Sequence, residues 1–393
     1  MSSDSVVIVA AARTPMGGFM GELSAVSAPD LGAQAIRAAI ERSGLAGEDV
    51  SEVIMGCVLP AGLKQAPARQ AMLAAGLPLG TGATTINKVC GSGLKTVMFG
   101  HDLIKAGSAD VVVAGGMESM SNAPYLLDKA RSGYRMGHGQ VLDHMMLDGL
   151  QDAYEGKAMG CYAQDTADAY GFTREAMDDF AIRSLTRAQE AIQSGKFADE
   201  ITPVSYSDRK GEVTVTTDEQ PGKARIDKIP SLRPAFAKDG TVTAANSSSI
   251  SDGAAALVLM RESDAKAKGL QPLARIVSHA THSQKPSEFT MAPVGAMNKA
   301  LEKAGWSKDD VDVWEINEAF AMVTMIAIKD MDLDAEKVNV HGGACALGHP
   351  IGASGARLLV TLLHALKQRG EKKGMTSLCI GGGEAVALAV EML

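Results

Sequence analysis

Aromatic side chains are scarce in this sequence, and positive charge does not dominate it. Phe, Trp and Tyr together make up 4% of the 393 residues, which leaves few rings that could stack on nucleic-acid bases. The formal net charge is -8 at pH 7, so the chain as a whole repels a polyanion. Both observations argue against a nucleic-acid-binding protein, although a local basic patch could still hold a small phosphorylated molecule.

Paired cysteines are also missing. The number of cysteines is odd, at five, and no two have the Cys-x-x-Cys spacing. This argues against a disulfide framework and a thiolate-ligated zinc site, and it favours a reducing compartment, which we take to be the cytoplasm. We therefore expect no bound metal. The cysteines are Cys57, Cys90, Cys161, Cys345 and Cys379.

Long apolar runs are absent as well. No stretch of about 20 apolar residues could span a bilayer, so we expect no contact with a membrane. The run "VVIVAAA" (6–12) follows Asp4, and no basic segment precedes it. We interpret it as a first buried strand rather than a signal peptide.

Four stretches recur in the same order in the two ends of the chain. "AIRAAIERSGLAGEDVSEVI" (35–54) resembles "AMNKALEKAGWSKDDVDVWE" (296–315), and in both an amphipathic helix ends at a glycine, Gly44 or Gly305. Ordered matches of this kind predict two copies of one β/α unit, each with a largely buried sheet. The other three pairs are 7–11 with 275–279, 92–95 with 354–357, and 111–116 with 377–382.

The first copy is interrupted by a long insertion. One strand of its last hairpin is expected at 110–116 and the other at 253–260. The intervening segment is long enough to form a subdomain of its own. It contains one clear helix, at 173–195, with Thr173 as the N-cap.

Three reactive side chains fall at strand ends or glycine turns, where α/β proteins bind ligands. Cys90 precedes the first Ser-Gly turn, His349 precedes the matching turn of the second copy, and Cys379 precedes three glycines. A thiolate is the nucleophilic form, and a helix N-terminus or a neighbouring base lowers the pKa of such a thiol. Taken singly, each residue could be structural, because a cysteine at a glycine turn is most often a small core residue. Their places in matching turns favour catalysis.

Four blocks of the chain resemble the signature motifs of the thiolase family, in its acetyl-CoA acetyltransferase branch. They are "NKVCGSGLK" (87–95), "NEAF" (317–320), "GHPIGASGAR" (348–357) and "CIGGG" (379–383). The resemblance covers almost the whole chain and implies an α/β fold of two duplicated βαβαβαββ halves in a layered αβαβα arrangement. On this basis the N-terminal half comprises residues 1–119 and 246–268, and the C-terminal half comprises residues 269–393. An inserted loop domain comprises residues 120–245.

The resemblance implies a reversible Claisen condensation of two acetyl-CoA molecules to acetoacetyl-CoA and CoA, through an acetylated Cys90. His349 would lower the pKa of this thiol and line a first oxyanion hole, together with a water held by Asn317. Cys379 would be the acid/base that handles the α-proton of acetyl-CoA. The backbone N–H groups of Cys90 and Gly381 would form a second oxyanion hole.

The resemblance makes coenzyme A a substrate and product rather than a bound cofactor, held by the inserted domain. Residues 209–238 carry seven Lys and Arg against four Asp and Glu. Six of these cations are expected to face the CoA phosphates, with a solvated loop as the equal alternative for each: Arg209, Lys210, Lys223, Arg225, Lys228 and Arg233. The pantetheine channel and acyl pocket would be lined by Leu150, Met159, Phe236, Ala244, Ser248 and Phe320, with Ser248 on the pantetheine amide.

Some positions depart from the family pattern. Ala158 stands where the short-chain branch usually has histidine, which leaves the preferred acyl length open. Glu384 follows the glycines where relatives often have a smaller or apolar residue. The segment "DEQPGKARIDK" (218–228) has no tyrosine of the kind that binds potassium in one branch, so we expect no potassium. The resemblance also implies a homotetramer, with dimers paired through the sheet of the N-terminal half and joined by the 120–145 loop.

Three other functions stay open. One is a 3-ketoacyl-CoA thiolase of broader chain length, acting in β-oxidation. Another is a decarboxylating or hydroxymethylglutaryl-type condensing enzyme, against which the presence of both Cys90 and Cys379 argues, because such enzymes normally have one active-site cysteine. The third is a catalytically silent acyl-CoA-binding protein on the same fold, which would form no acetyl adduct.

Overall fold

The strands follow from the apolar runs of the sequence. The structure, a computed structural model, describes residues 4–209 and 211–393. The strands in this part of the chain are β1 (Val6–Arg13), β2 (Gly17–Gly18), β3 (Glu52–Gly56), β4 (Gly82–Ile86), β5 (Val111–Ser119), β6 (Tyr125–Leu126), β7 (Leu142–Asp143), β8 (Val204–Asp208), β9 (Gly211–Val215), β10 (Ser251–Arg261), β11 (Ala274–Ser283), β12 (Val313–Ile316), β13 (Lys373–Ile380) and β14 (Glu384–Met392). The run expected to form the first strand is β1, and all its residues are buried, as its continuous apolar sequence requires.

The helices that the sequence predicts are present among the helices of the structure. In the described residues they are α1 (Ala28–Ser43), α2 (Pro67–Ala74), α3 (Ser92–Ala106), α4 (Met159–Tyr170), α5 (Arg174–Gln193), α6 (Glu219–Lys223), α7 (Glu262–Ala267), α8 (Ala292–Ala304), α9 (Ala321–Asp330), α10 (Ala344–Leu347) and α11 (Ser354–Arg369). The repeated helices α1 and α8 end at Gly44 and Gly305, both in the left-handed conformation. The hydroxyl of Thr173 caps α5 by accepting a hydrogen bond from the N–H of Ala176 at 3.1 Å.

The strands of the two copies pair in the same order. The first copy has the order β1-β10-β5-β3-β4 and the second β11-β14-β13-β12. Trp314 of β12 makes an isolated parallel bridge to Val338, at the place that β4 takes in the first copy. β1 and β11 pair with each other and so join both sets into one 10-stranded sheet. The duplication predicted from the repeats is therefore confirmed.

The helices and strands form alternating layers. One buried cluster packs α1 and α2 against the first copy's strands, and another packs α8 and α9 against those of the second. Between them lies a third cluster, in which α3 and α11 contribute Leu94 and Leu362 alongside strand residues of both copies, such as Ile54 and Leu378. This order of layers is the predicted αβαβα arrangement. It places the N-termini of α3 and α11 in the middle of the protein.

The insertion between β5 and β10 contains more regular structure than the sequence predicts. Besides the expected α5 it forms α4, α6, two short hairpins and a π-helix at Met145–Leu150. Apart from α4 these elements are short, and α4, α6 and the π-helix have no side-chain N-cap hydrogen bond, so their sequences resemble loops. The boundaries given above for the three domains stay a prediction. Among the described residues, every helix is too short or too polar to cross a bilayer.

Candidate active site

Cys90 lies in a strained turn between β4 and α3. Val89 has a φ of 45°, a left-handed conformation that β-branched residues rarely adopt. The turn is closed by Ser92, whose hydroxyl accepts from the N–H of Lys88 at 2.8 Å and donates to the carbonyl of Val89 at 2.7 Å. Strain of this kind persists only where the surrounding contacts enforce it, and it is common at functional sites. The turn holds Cys90 directly before Gly91, the N-cap of α3.

The repeated Ser-Gly turns bring the two copies into contact. A Cβ atom on Gly93 would lie 2.8 Å from the backbone nitrogen of Ala356, and one on Gly355 would lie 2.4 Å from the backbone nitrogen of Leu94. Only glycine therefore lets the N-termini of α3 and α11 approach this closely. As a result, the loops before the two helices line one cavity.

His349 is buried and oriented by Ser354 of α11. Its Nδ1 lies 2.5 Å from the Ser354 Oγ, and the Ser354 hydroxyl donates to the carbonyl of Pro350 at 2.9 Å. Because the hydroxyl proton is used on Pro350, Ser354 accepts a hydrogen bond from Nδ1–H, and Nε2 is left as the unprotonated nitrogen. Nε2 is buried and has no hydrogen-bond partner in the described part of the chain. His349 thus offers a free basic nitrogen.

Cys379 and Gly381 lie at the end of β13 and in the tight hairpin that follows it. Cys379 is fully buried in an apolar cluster that includes Phe320. Gly381 lines the cavity together with Cys90, and its backbone N–H acts to lower the pKa of the Cys90 thiol. Burial raises the pKa of the Cys379 thiol well above its ordinary value, and the charge of Cys90 adds to this rise. Cys379 is not on the cavity wall, but it lies close enough to Cys90 for the charge of one to act on the other.

Burial also sets the protonation of the reactive pair. It raises the pKa of the Cys90 thiol to about 11, while hydrogen bonds from the backbone N–H groups of Gly381 and Cys90 act in the opposite direction. The sequence predicts a lowered pKa at a helix N-terminus, and this was wrong because the loss of solvent outweighs these donors. Burial, with the charge of Arg357, lowers the pKa of His349 to about 3. The pair is a neutral thiol beside a neutral imidazole.

Asn317 follows β12 and is fully buried. Neither atom of its side-chain amide has a hydrogen-bond partner among residues 4–209 and 211–393. Its backbone N–H donates to the carbonyl of Ser377 at 3.0 Å, which fixes the residue to β13. A buried amide without partners is costly, so a water or a substrate oxygen would satisfy it.

Two residues have roles in the site that the sequence did not predict. Ser354 belongs to the repeated turn, but its contact with His349 was indicated only by its place five residues further along the same motif. Glu118, at the end of β5, accepts hydrogen bonds from the N–H groups of Val58 at 3.0 Å and Gly352 at 2.9 Å. Burial raises the pKa of Glu118 to about 7. This carboxyl group connects the first copy to the loop that carries His349. The sequence feature that could have indicated its role was an acidic residue at the end of a buried strand.

A cavity of about 290 Å³ opens beside Cys90 and His349. The residues predicted to line it and found on its wall are Leu150, Met159, Phe236, Ser248 and Phe320. The hydroxyl of Ser248 donates to the carbonyl of Ala319 at 3.0 Å. Ala158 is on the wall as well, whereas Ala244 is exposed and does not line the cavity. Most of the wall is carbon, which suits an extended and largely apolar ligand.

Five of the six cations expected to face CoA phosphates fall in the described residues, and none of these five is on the cavity wall. Lys223 pairs with Glu219, and Arg225 pairs with Asp227 at 2.9 Å. Lys228 lies 4.0 Å from the same aspartate. Arg209 and Arg233 are exposed, and Lys210 lies outside the described residues. The phosphate contacts therefore stay a prediction.

Two family models match the chain end to end. The model described as "Thiolase, N-terminal domain" matches residues 6–263, and the one described as "Thiolase, C-terminal domain" matches residues 270–392. The chain therefore belongs to the thiolase family, in agreement with the resemblance of its sequence motifs and with its fold.

Individual relatives are similar over nearly their whole length. The chain is 54% identical over 388 residues to the acetyl-CoA acetyltransferase of Cupriavidus necator, covering 98% of this chain and 99% of that one. It is 54% identical over 389 residues to the acetyl-CoA acetyltransferase of Escherichia coli, with the same coverage. Among solved structures, the acetyl-CoA acetyltransferase of Bacillus anthracis matches with a TM-score of 0.97 and 44% identity, covering 99% of both chains.

Proposed function

We propose that this chain is an acetyl-CoA C-acetyltransferase, which condenses two acetyl-CoA molecules to acetoacetyl-CoA and CoA and also catalyses the reverse cleavage. The observation that carries the proposal is one cavity that holds the thiol of Cys90, the imidazole of His349 and the N–H of Gly381. The names of the similar proteins support the choice of substrate.

In the first half-reaction the sulfur of Cys90 attacks the thioester carbonyl of acetyl-CoA. His349 Nε2 accepts the thiol proton as the carbon–sulfur bond forms, since both groups are neutral beforehand. The N–H groups of Cys90 and Gly381 stabilise the oxyanion of the tetrahedral intermediate. Cys379, with its raised pKa, donates its proton to the sulfur of the leaving CoA. This step leaves an acetyl group on Cys90, a protonated His349 and a thiolate at Cys379.

In the second half-reaction the Cys379 thiolate removes an α-proton from a second acetyl-CoA. Its burial makes it a strong base. The enolate oxygen is stabilised by protonated His349 and by a water held on the unsatisfied amide of Asn317. The enolate carbon attacks the acetyl group, acetoacetyl-CoA forms, and the Cys90 sulfur regains its proton from His349. All three groups return to their starting states, so the cycle is balanced.

The remaining parts of the proposal concern the surroundings of this chemistry. Coenzyme A enters and leaves as substrate and product, and no further cofactor takes part. Lys223, Arg225 and Lys228 contact its phosphates after exchanging their present carboxylate partners. The enzyme acts in the cytoplasm as a homotetramer. These assignments rest on the family resemblance together with the basic segment around 209–238.

The decisive experiment is intact-mass analysis after mixing with acetoacetyl-CoA. The unaltered chain is expected to gain one acetyl group, and Cys90→Ala is expected to gain none. Cys379→Ser is the matched control and is mixed with acetyl-CoA, because it keeps the nucleophile and CoA can leave as a thiolate. It should still be acetylated by acetyl-CoA while condensation is lost. If no adduct formed at any pH, the catalytically silent alternative would replace this proposal. If Cys379→Ser condensed normally, a one-cysteine condensing enzyme would replace it.

A wider acyl specificity is a second candidate, favoured by Ala158. Its small side chain lies on the cavity wall, where a larger residue would shorten the space for the acyl group. The ratio kcat/KM should be measured for acetoacetyl-, 2-methylacetoacetyl- and longer 3-ketoacyl-CoA substrates. A value that stays level or rises with chain length would favour a 3-ketoacyl-CoA thiolase of β-oxidation.

A further inference from the structure

A second group of reactive side chains lies away from the Cys90 cavity, where α3 meets β11. His101 and Asp102 are consecutive residues near the end of α3, and His279 lies on the half-exposed face of β11. α3 belongs to the first copy of the repeat and β11 to the second. The three residues are the one group of at least three His, Cys, Asp or Glu side chains in the described ranges whose ligand atoms converge within 4.8 Å.

The three atoms form a nearly equilateral triangle. His101 Nδ1 lies 3.0 Å from Asp102 Oδ1, and His279 Nε2 lies 3.1 Å from each of them. Around a tetrahedral zinc ion, with metal–ligand distances of about 2.0–2.1 Å, ligand atoms stand about 3.3–3.4 Å apart. The observed triangle therefore matches one face of such a tetrahedron to within a few tenths of an ångström.

Hydrogen bonding alone does not account for all three short distances. The triangle contains two ring nitrogens and one carboxylate oxygen, so neutral rings can supply at most two protons along its edges. If both rings donate to Asp102, two N–H groups face each other at 3.1 Å without a bond. If only one ring donates to Asp102, at least one of the other two edges of the triangle has no N–H directed along it. A cation above the triangle attracts all three atoms at once.

We propose that His101 Nδ1, Asp102 Oδ1 and His279 Nε2 bind a divalent first-row transition metal ion, with zinc as the best fit. Two imidazoles and one carboxylate are a ligand set that such ions take, and a water completes the tetrahedron. This departs from the expectation of no metal, which considered the cysteines. The new ligands are two histidines 178 residues apart and an aspartate, so only the fold brings them together.

Access and charge set the strength of the site. The side chain of Asp102 is 56% exposed and those of the histidines 16%, so an ion can enter without unfolding. Two ammonium groups are close: Lys303 donates to the backbone carbonyl of His279 at 3.0 Å, and Lys95 is near enough for the charge of Asp102 to act on it. These cations oppose the ion and make the affinity moderate. The bound ion joins the two copies at the end of α3 opposite to Cys90.

Metal binding is tested on the full chain after chelator treatment, in a Cys90→Ala background that removes the half-buried active-site thiol. Zn²⁺ is titrated by calorimetry, and Co²⁺ is followed by its visible absorption, which reports tetrahedral geometry. His279→Gln and Asp102→Asn remove one ligand each. His282→Gln is the matched control, since it lies on the same strand with its Nε2 bonded to Gln284 at 3.0 Å.

We expect one ion per chain, a rise in Tm with Zn²⁺, and at least tenfold weaker binding in His279→Gln and Asp102→Asn. His282→Gln should bind as the parent does. Asp102 is exposed, so its variant keeps the fold, which circular dichroism in the presence of chelator verifies. The proposal is overturned if the parent binds no ion, if both ligand variants bind as tightly as the parent, or if cobalt shows a thiolate-to-metal absorption band instead.

Discussion

At the scale of the residue, the site depends on where protons reside before the reaction begins. The Cys90 thiol and the His349 imidazole are both neutral, because burial disfavours the charged form of each. A preformed thiolate–imidazolium pair is therefore not the resting state of the free enzyme. The imidazole must accept a proton during attack, and its correct tautomer depends on Ser354.

The pH dependence of thiol alkylation tests this resting state. The pKa of Cys90 is raised to about 11, so below that value the thiolate fraction increases tenfold for each unit of rising pH. The rate of iodoacetamide labelling at Cys90, followed by mass spectrometry from pH 6 to 10, should climb throughout. A labelling rate that levels off near or below pH 7 would instead indicate a preformed ion pair.

Ser354→Ala should remove the group that fixes the tautomer of His349. The Nδ1–H loses its acceptor at 2.5 Å, so the ring can rotate or carry its proton on Nε2. We expect kcat to fall by roughly 10- to 100-fold with little change in KM, since general-base catalysis contributes about 10²–10⁴. Ser354→Thr retains the hydroxyl and should recover most of the rate. Equal damage in both variants would point to packing rather than to the hydroxyl.

At the scale of the element, two turns from different copies meet and are tied together. Lys88, in the Cys90 turn, forms an ion pair at 2.6 Å with Glu384, directly after the glycine hairpin. The hydroxyl of Ser283 donates to the other carboxylate oxygen of Glu384 at 3.0 Å. The unusual Glu384 of the sequence thus has a partner in the turn of the nucleophile. We expect the pair to help fix the position of the Cys90 turn relative to the glycine hairpin.

Glu384→Gln should loosen this connection. The pair is partly exposed, and such pairs contribute about 0–1 kcal/mol, so kcat/KM should fall by about two- to fivefold, mainly through kcat. Lys88→Glu combined with Glu384→Lys restores opposite charges and should recover activity at low salt. If the exchanged pair is no better than either single variant, the charges do not position the turns.

Gly355→Ala should be far more damaging, because the new Cβ would lie 2.4 Å from the backbone of α3. Overpacking of this kind costs about 1–3 kcal/mol, and here it also separates Cys90 from His349. Urea unfolding and the acetylation rate measure the two effects. Gly80→Ala is the control, since nothing lies within 4 Å of its Cβ position. Equal stability of the two variants would contradict the close approach.

At the scale of the whole molecule, a buried cluster of charges docks the insertion onto the first copy. The guanidinium of Arg13, at the end of β1, contacts Glu200 at 2.5 Å and Asp218 at 2.7 Å. All three side chains have no exposed surface. Both acids belong to the insertion, so Arg13 is the buried charged contact among several that connect it to the first copy.

Arg13→Met should lower the free energy of unfolding by about 3–5 kcal/mol, because it leaves two buried carboxylates without their partner. Urea unfolding measures the loss, and limited proteolysis should show cleavage within 120–245 before the rest of the chain. Arg225→Met removes an exposed pair and should change stability by less than about 1 kcal/mol. Similar losses in both variants would contradict a special role for Arg13.

The sequence by itself determined the duplicated fold and singled out the residues that we propose react. Repeated helix ends, buried apolar strands and the Ser-Gly turns are local patterns, so they can be recognised from the sequence alone. The proposed nucleophile Cys90 and the counterpart turn at 354–357 could therefore be found without coordinates. The elements of the insertion were less predictable, since α4 and the π-helix are set by packing against the cavity rather than by propensity.

Only the tertiary structure decided the properties that depend on distance and burial. It shows that the pKa of Cys90 is raised rather than lowered, because the burial of the thiol depends on how the layers pack. It also paired Lys88 with Glu384, oriented His349 through Ser354, and brought His101 and Asp102 to His279 on the other copy. Such contacts join residues remote in sequence, and their energies change with ångström-scale distances that no local pattern encodes.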